Sequence, residues 1–353
     1  VITQRKEGVL YWEDIPFALP PVGDLRWKAP ISFVSEDFNI KPKENNFCHQ
    51  EIGGQIQAIN QTGSEDCLYL DIRAPHRKRE NLPVMFWIHG GGNTSGHKDF
   101  YNFSELVKRK DVIVVSTNYR LGPLGFFTHP AIQDFHSGLD KTSNFGILDI
   151  VLALEWVNEN IASFGGDPNN ITIFGESAGG HNVLALLASP IGKNLFHKAI
   201  VQSGYSTSTS LKRAYDHGDS DSLIRRGSWR MVNEFLSTHT NETRVQDSLP
   251  LHELNQILKD ADARDFIELY VNHDQDDSLP LTTADGIVIP LEGLDEALAN
   301  KKYAKNVPVI AGATRDELTL WLGLHRYFID ESFPFTRVFP AVLKIRDPEL
   351  YRL

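Results

Sequence analysis

The stretch that most limits what this chain can fold into is Ile171-Thr172-Ile173-Phe174-Gly175-Glu176-Ser177-Ala178-Gly179-Gly180-His181-Asn182. Four β-prone residues run into a serine with glycine two places before and two places after it. The apolar run Val183 to Leu187 beyond it can be helical. A strand that turns directly into a helix leaves no space for side chains beside the turn. Glycines there let the chain reverse, and the serine hydroxyl is left standing clear. The helix that follows directs its first amides at the same point. This is the layout of a nucleophile elbow, with Ser177 as the candidate nucleophile. The competing reading, a tight turn with no chemistry, fits an isolated pentapeptide better than one set between a strand and a helix.

Around the elbow, strand-like and helix-like segments alternate. "VMFWIHGGG" and "DVIVVSTNYR" read as buried strands. "NFGILDIVLALEWVNENIASFGG" carries Ile147, Val151, Leu154, Val157 and Ile161 at spacings of three and four, an amphipathic helix stopped by Gly165-Gly166. Strand "ITIFG", helix "HNVLALLAS", a breaker at Pro190 and strand "KAIVQSG" follow. The rhythm implies parallel crossovers and an α/β fold, a mostly parallel doubly wound sheet with helices on both faces. From about Tyr205 to Asn300 the sequence turns polar and acidic and reads as an excursion over the sheet, either cap-like or a pocket wall. "VPVIAGATRDE" then restores a strand ending in a loop. Residues 1–353 read as one α/β domain.

Composition narrows the partners. The chain is 41% hydrophobic and 23% charged, in the globular range. No apolar run approaches the ~18 residues of a membrane span. A formal net charge of −11 argues against nucleic acid or anionic membrane as the main partner. No Cys/His cluster has metal-ligand spacing, so neither a metal nor a cofactor is expected. The two cysteines, Cys48 and Cys67, fit equally a loop-closing disulfide or two unrelated buried thiols.

A serine nucleophile needs partners. The glycines of "HGGGNTSG" (His89 to Gly96) follow a buried strand and free backbone amides to approach an anion. The oxyanion hole this suggests combines the amides of Gly91, Gly92 and Ala178, each such donor being worth ~10²–10³ in rate. His89 opens that loop and reads as positioning it. An acid must orient the base, and "AGATRDELTLW" offers either Asp316 or Glu317 after a late strand.

Taken together, these motifs resemble the type-B carboxylesterases, the cholinesterase-like branch of the α/β hydrolases. "IPFALPPVGDLRWKAP" and "SEDCLYLDI" are similar to two signatures of that family. "HGGG", "NYRLGPLGF", "NFGILD", "ALEWVNENIASFGGDPNNITIFGESAGG", "IVQSG" and "GATRDE" follow in the family's order. The resemblance implies an α/β-hydrolase fold and hydrolysis of small carboxylic esters through an acyl-enzyme, without a cofactor. It implies Ser177 as nucleophile, Gly91, Gly92 and Ala178 as oxyanion hole, and Glu317 rather than Asp316 as the acid. It also implies a Cys48–Cys67 disulfide, whose 19-residue separation would stabilise the fold by ~3 kcal/mol, and hence a secreted or otherwise exported protein. Arg26 with Glu65, and Arg120 with Asp167, match structural salt bridges. Asn93, Ile150 and the pair His181-Asn182 depart from the family pattern at positions that bear on pocket specificity. No choline-binding aromatic site is recognisable. The alternative function, a non-catalytic cholinesterase-like adhesion domain, typically goes with loss of the serine or the oxyanion glycines, and both are kept here.

The base is the open position. Of 13 histidines, only His325 follows Glu317, eight residues on. Acid and base loops that follow successive strands are separated by a crossover of ~30 residues, so His325 does not satisfy the topology. His181, one helical turn past Ser177, reads as a packing residue. The expectation is that the catalytic histidine lies in a C-terminal part following Leu353. The last strand and one wall of the pocket would then lie there too, and any export signal would lie before Val1.

Overall fold

The computed structural model describes residues 3–6, 8–34, 46–50, 63–76, 80–215, 227–240, 242, 244–271 and 282–317. Its frame is an eight-stranded sheet of β1 (Thr3–Lys6), β2 (Val9–Pro16), β3 (Tyr69–Pro75), β4 (Leu82–Ile88), β5 (Ile113–Thr117), β6 (Gly166–Glu176), β7 (Lys198–Gln202) and β8 (Val309–Gly312). The spatial order is β1-β2-β3-β5-β4-β6-β7-β8. From β5 through β4, β6 and β7 to β8 every pairing is parallel. The pairings that join β1, β2, β3 and β5 are antiparallel. The expected parallel core is present, extended by an antiparallel wing.

The central parallel strands β4 and β5 are largely apolar on both faces because both are covered. Val84, Phe86 and Ile88 of β4 enter the large core, which also holds Ile147, Val151, Leu154 and Val157 of α2 (Phe145–Asn160) and Val183, Ala185 and Leu186 of α3 (Ala178–Ala188). Trp87, pointing the other way, joins Val114, Phe174 and Val107 of α1 (Ser104–Lys110). Gly165, at φ +89, ends the turn after α2, but Gly166 already belongs to β6. The strand therefore begins five residues before the expected "ITIFG".

Within the stretch from Tyr205 to Asn300, α4 (Ser228–His239), α5 (Leu251–Asp260) and α6 (Ala263–Val271) form part of a second apolar cluster with Trp27, Phe127 and Phe145. The Phe235 and Phe266 rings stack at 4.7 Å. Helix α4 begins at Ser228, directly after an extended Gly227. Arg26 ties this layer to the N-terminal loop. Its guanidinium binds both oxygens of Glu65 at 2.7 Å, and its remaining end donates to the carbonyls of Leu258, Lys259 and Ala261.

The other expected ion pair is corrected. Arg120 pairs with Asp149, not Asp167: Nε and Nη2 donate to its two oxygens at 2.8 and 2.7 Å, and the Arg120 amide donates at 2.9 Å. Asp149 is fully buried in α2 and needs a matched cation. Asp167 instead accepts from the Asn169 amide at the start of β6. Cys48 and Cys67 are joined by a disulfide, with Cα atoms 4.8 Å apart. No helix among the described residues is long and apolar enough to cross a membrane.

Candidate active site

Ser177, Glu317 and the Gly90-Gly91-Gly92 run all follow carboxyl ends of parallel strands, where open α/β sheets place their ligands. Ser177 follows β6 and precedes α3, with φ 56° and ψ −120°, backbone angles that a non-glycine residue adopts only when its surroundings hold it there. Those surroundings are steric. A Cβ on Gly175 would sit 2.5 Å from the Gly179 carbonyl, and one on Gly179 would sit 2.1 Å from the Ile88 oxygen. A Cβ on Gly180 would meet the Gln202 oxygen at 2.8 Å. The helix can cross the ends of β4 and β7 this closely only because all three positions are glycine. The Ser177 amide donates to Gln202 O at 2.9 Å, fixing the turn to β7. Ala178 opens α3, so its amide has no intrahelical partner.

The glycine loop lies against the elbow. A Cβ on Gly90 would fall 3.3 Å from that of Ser177. Gly91 (φ +100) and Gly92 (φ +66) have left-handed backbones. The Gly91 carbonyl accepts from the amides of Thr94 and Ser95 at 3.0 and 2.9 Å, which closes the loop on itself. The Asn93 carbonyl accepts from the Gly122 amide at 2.7 Å. The Asn93 side chain is buried and forms a reciprocal amide pair with Asn182. Two departures from the family pattern thus satisfy each other and fasten the loop to α3. Tyr119 donates to the His89 carbonyl at 2.8 Å. Burial holds its phenol protonated, above the ordinary range, so it stays a donor.

The histidines near the serine are structural. His89 stacks on Tyr119, and its Nδ1–H donates to the Gly90 carbonyl at 2.8 Å. His181 donates from Nδ1 to the Tyr205 carbonyl at 2.7 Å, accepts at Nε2 from the Thr282 hydroxyl, and stacks on Tyr205. Both are sealed from solvent, and burial pushes each down to about 4, so both are neutral. With both nitrogens of His181 engaged, it has no lone pair to offer Ser177. His325 lies outside the described residues.

Glu317 stands past β8. Its Oε2 accepts from the Thr314 hydroxyl and amide, each at 2.8 Å, and from the Ser203 hydroxyl at 2.9 Å. The Thr314 hydroxyl first, then the Thr314 amide and Ser203, hold it below the usual carboxylate range, so it is ionised at neutral pH. Asp316 is exposed and pairs with Arg315. The two acids thus sit in different settings, Glu317 held by three hydrogen bonds and Asp316 exposed beside Arg315. Glu176, next to the serine, is raised by burial and by the nearby Glu317 charge.

"IVQSG" carries more than its match suggested. Gln202 holds the Ser177 amide, Ser203 holds Glu317, and Gly204 packs on Gly180, where a Cβ would lie 2.7 Å from the Gly180 carbonyl carbon. Ser203 has φ 50°, and its amide donates to Gly312 O at 2.7 Å. A strand ending in Ser-Gly beside a strand ending in an elbow was the available signal.

A mostly parallel α/β sheet with a strained serine at a strand-to-helix turn, a left-handed glycine loop beside it and a held carboxylate past the strand two places along the sheet is the arrangement of the α/β-hydrolase fold. The carboxylesterase family model matches residues 1–332, and the chain belongs to that family. It is 36% identical over 319 residues to the para-nitrobenzyl esterase of Bacillus subtilis (strain 168), covering 88% of this chain and 60% of that protein. It is 37% identical over 326 residues to a liver carboxylesterase of Sus scrofa, covering 87% of this chain and 54% of that one. A solved PNB esterase superposes with a TM-score of 0.73 at 35% identity, over 90% of this chain and 62% of that chain. The chain therefore spans little more than half the length of the curated relatives it matches.

Proposed function

We propose that this protein is a serine carboxylic-ester hydrolase with Ser177 as nucleophile. The observation that carries the reading is the strained Ser177 backbone, enforced by Gly175 and Gly179 beside the left-handed Gly91-Gly92 loop. Strain of this kind persists where it positions a reacting group. Ser177 Oγ attacks the ester carbonyl while its proton passes to a base. The tetrahedral oxyanion forms against the amides of Gly91, Gly92 and Ala178. The C–O bond to the alcohol breaks as the base returns the proton, leaving an acyl-serine. Water repeats the steps and releases the acid.

Glu317 is the orienting acid for that base. Among the described residues no histidine hydrogen-bonds Glu317, and its partners are Thr314 and Ser203. The base of this proposal is a histidine outside the described residues. The layer of α4 to α6 is proposed as one wall of the substrate pocket. Relatives named as para-nitrobenzyl esterase and carboxylesterase support small esters as substrates. The disulfide supports an exported protein.

The test is pre-steady-state hydrolysis of p-nitrophenyl butyrate. A burst approaching one equivalent of p-nitrophenol, abolished in Ser177→Ala, supports the acyl-enzyme. Turnover that survives Ser177→Ala overturns it. The adhesion alternative predicts no burst in either protein.

A further inference from the structure

Outside the triad positions, one buried side chain holds the return limb of the glycine loop. The Gly96 amide donates to Gln50 Oε1 at 2.8 Å, and Gln50 Nε2 donates back to Gly96 O at 3.0 Å. A single side-chain amide thus pairs both backbone groups of one loop residue, as a neighbouring strand would. The second Nε2 hydrogen goes to Cys48 O at 3.1 Å, so every hydrogen-bonding group of that amide is engaged. Gln50 is 6% exposed.

Gly96 is where loop geometry is decided. Its φ is +104°, and a Cβ there would fall 2.5 Å from His89 Nδ1 and 2.7 Å from Gly90 O. The return limb therefore rests directly on the entry limb that leads into Gly91 and Gly92. Two residues on, the Lys98 amide donates to Asn118 Oδ1 at 2.8 Å, and its ammonium is buried among Asp14, Asp71 and Asp99. Asn118 in turn donates to Cys67 O at 3.0 Å. Both half-cystines, through Gln50 and Asn118, are thus linked by hydrogen bonds to the same short return limb.

We infer that Gln50 is a positioning residue for the oxyanion loop, setting where the Gly91 and Gly92 amides point by clamping Gly96 to the Cys48–Cys67 disulfide. The inference rests on the reading of Gly91 and Gly92 as oxyanion donors. Gln50→Met removes the three hydrogen bonds and keeps the approximate volume. Misplacing donors by about 1 Å can cost ~10²-fold. The expected result is a 10- to 100-fold fall in kcat on p-nitrophenyl butyrate with KM within about twofold. Affinity for a trifluoromethyl ketone, whose tetrahedral adduct places an oxyanion in the hole, falls by the same factor. Amide hydrogen exchange accelerates in residues 89–97 and stays unchanged in 145–160.

Unchanged kcat with unchanged exchange in 89–97 overturns the inference. Exchange raised equally in both segments also overturns it, because Gln50 then merely supports the fold. If Gln50→Met does not fold, Gln50→Asn, whose amide falls one methylene short, is read the same way. If Ser177→Ala shows that the esterase reading fails, the localised exchange readout alone decides whether Gln50 holds the loop.

Discussion

The two halves of the candidate site are built by different physics. On the nucleophile side, Gly175, Gly179 and Gly180 pack backbone against backbone, and any Cβ there would overlap a carbonyl. On the acid side, Glu317 is held by three hydrogen bonds, and a Cβ on Gly312 would meet nothing within 4 Å among the described residues. One half is positioned by sterics that leave no alternative, the other by polar partners that can exchange with water. A mutation should therefore cost stability on the first side and orientation on the second.

The largest effect is expected from Gly179→Ala. The added methyl sits 2.1 Å from the Ile88 oxygen, so β4 and α3 must separate. The expected loss is more than about 4 kcal/mol, read as a collapsed urea midpoint; a midpoint near wild type breaks the steric half of the comparison. Next comes Glu317→Gln. Removing the orienting charge lowers kcat by about 10³–10⁴-fold, while the urea midpoint of this half-exposed residue barely moves. A large loss of stability would show that Glu317 is structural instead.

The third effect separates the two sides by pH. His89 and His181 have folded values near 4, below the free value of 6.5, because charging a sealed imidazole is opposed by burial. Stability is full above pH 6.5 and is lost progressively as pH falls toward 4, by about 3 kcal/mol per histidine. Glu317, lowered from 4.5, keeps its contribution above 4.5 and loses it only below that. Thermal unfolding between pH 7 and 4 should therefore fall first on the nucleophile side, and His181→Phe should flatten the decline. The smallest effect is expected from Gly312→Ala, within about 0.5 kcal/mol of wild type.

This division explains what was readable in the sequence. The strand-to-helix turn at Ser177 and the glycine loop were legible because their constraint is local, and glycine at positions 175, 179, 91 and 92 records it within a few residues. The parallel core was legible from its apolar runs, and α2 from its spacing. Partners distant in sequence were not. Ser203 reaches Glu317 across 114 residues, and Gln50 reaches Gly96 across 46. A polar side chain carries no periodicity that names its partner. Arg120 illustrates the same point: its cation needed a buried carboxylate, and Asp149, inside an apolar helix face, was the acid that burial demanded. The antiparallel wing was missed because β1, β2 and β3 are joined without the strand–helix alternation that marks crossovers, and β2 meets β3 only across more than fifty residues.

The central claim is that the Ser177 turn holds a working nucleophile. Incubation with a phosphofluoridate, followed by peptide mass spectrometry, tests it most directly, since the reagent bonds to a serine oxygen only where the hydroxyl is activated and the oxyanion is held. The account predicts one phosphoryl group per chain, on Ser177 alone, with labelling lost in Ser177→Ala. An unlabelled Ser177 in folded protein, or a label that falls on another residue, would contradict it.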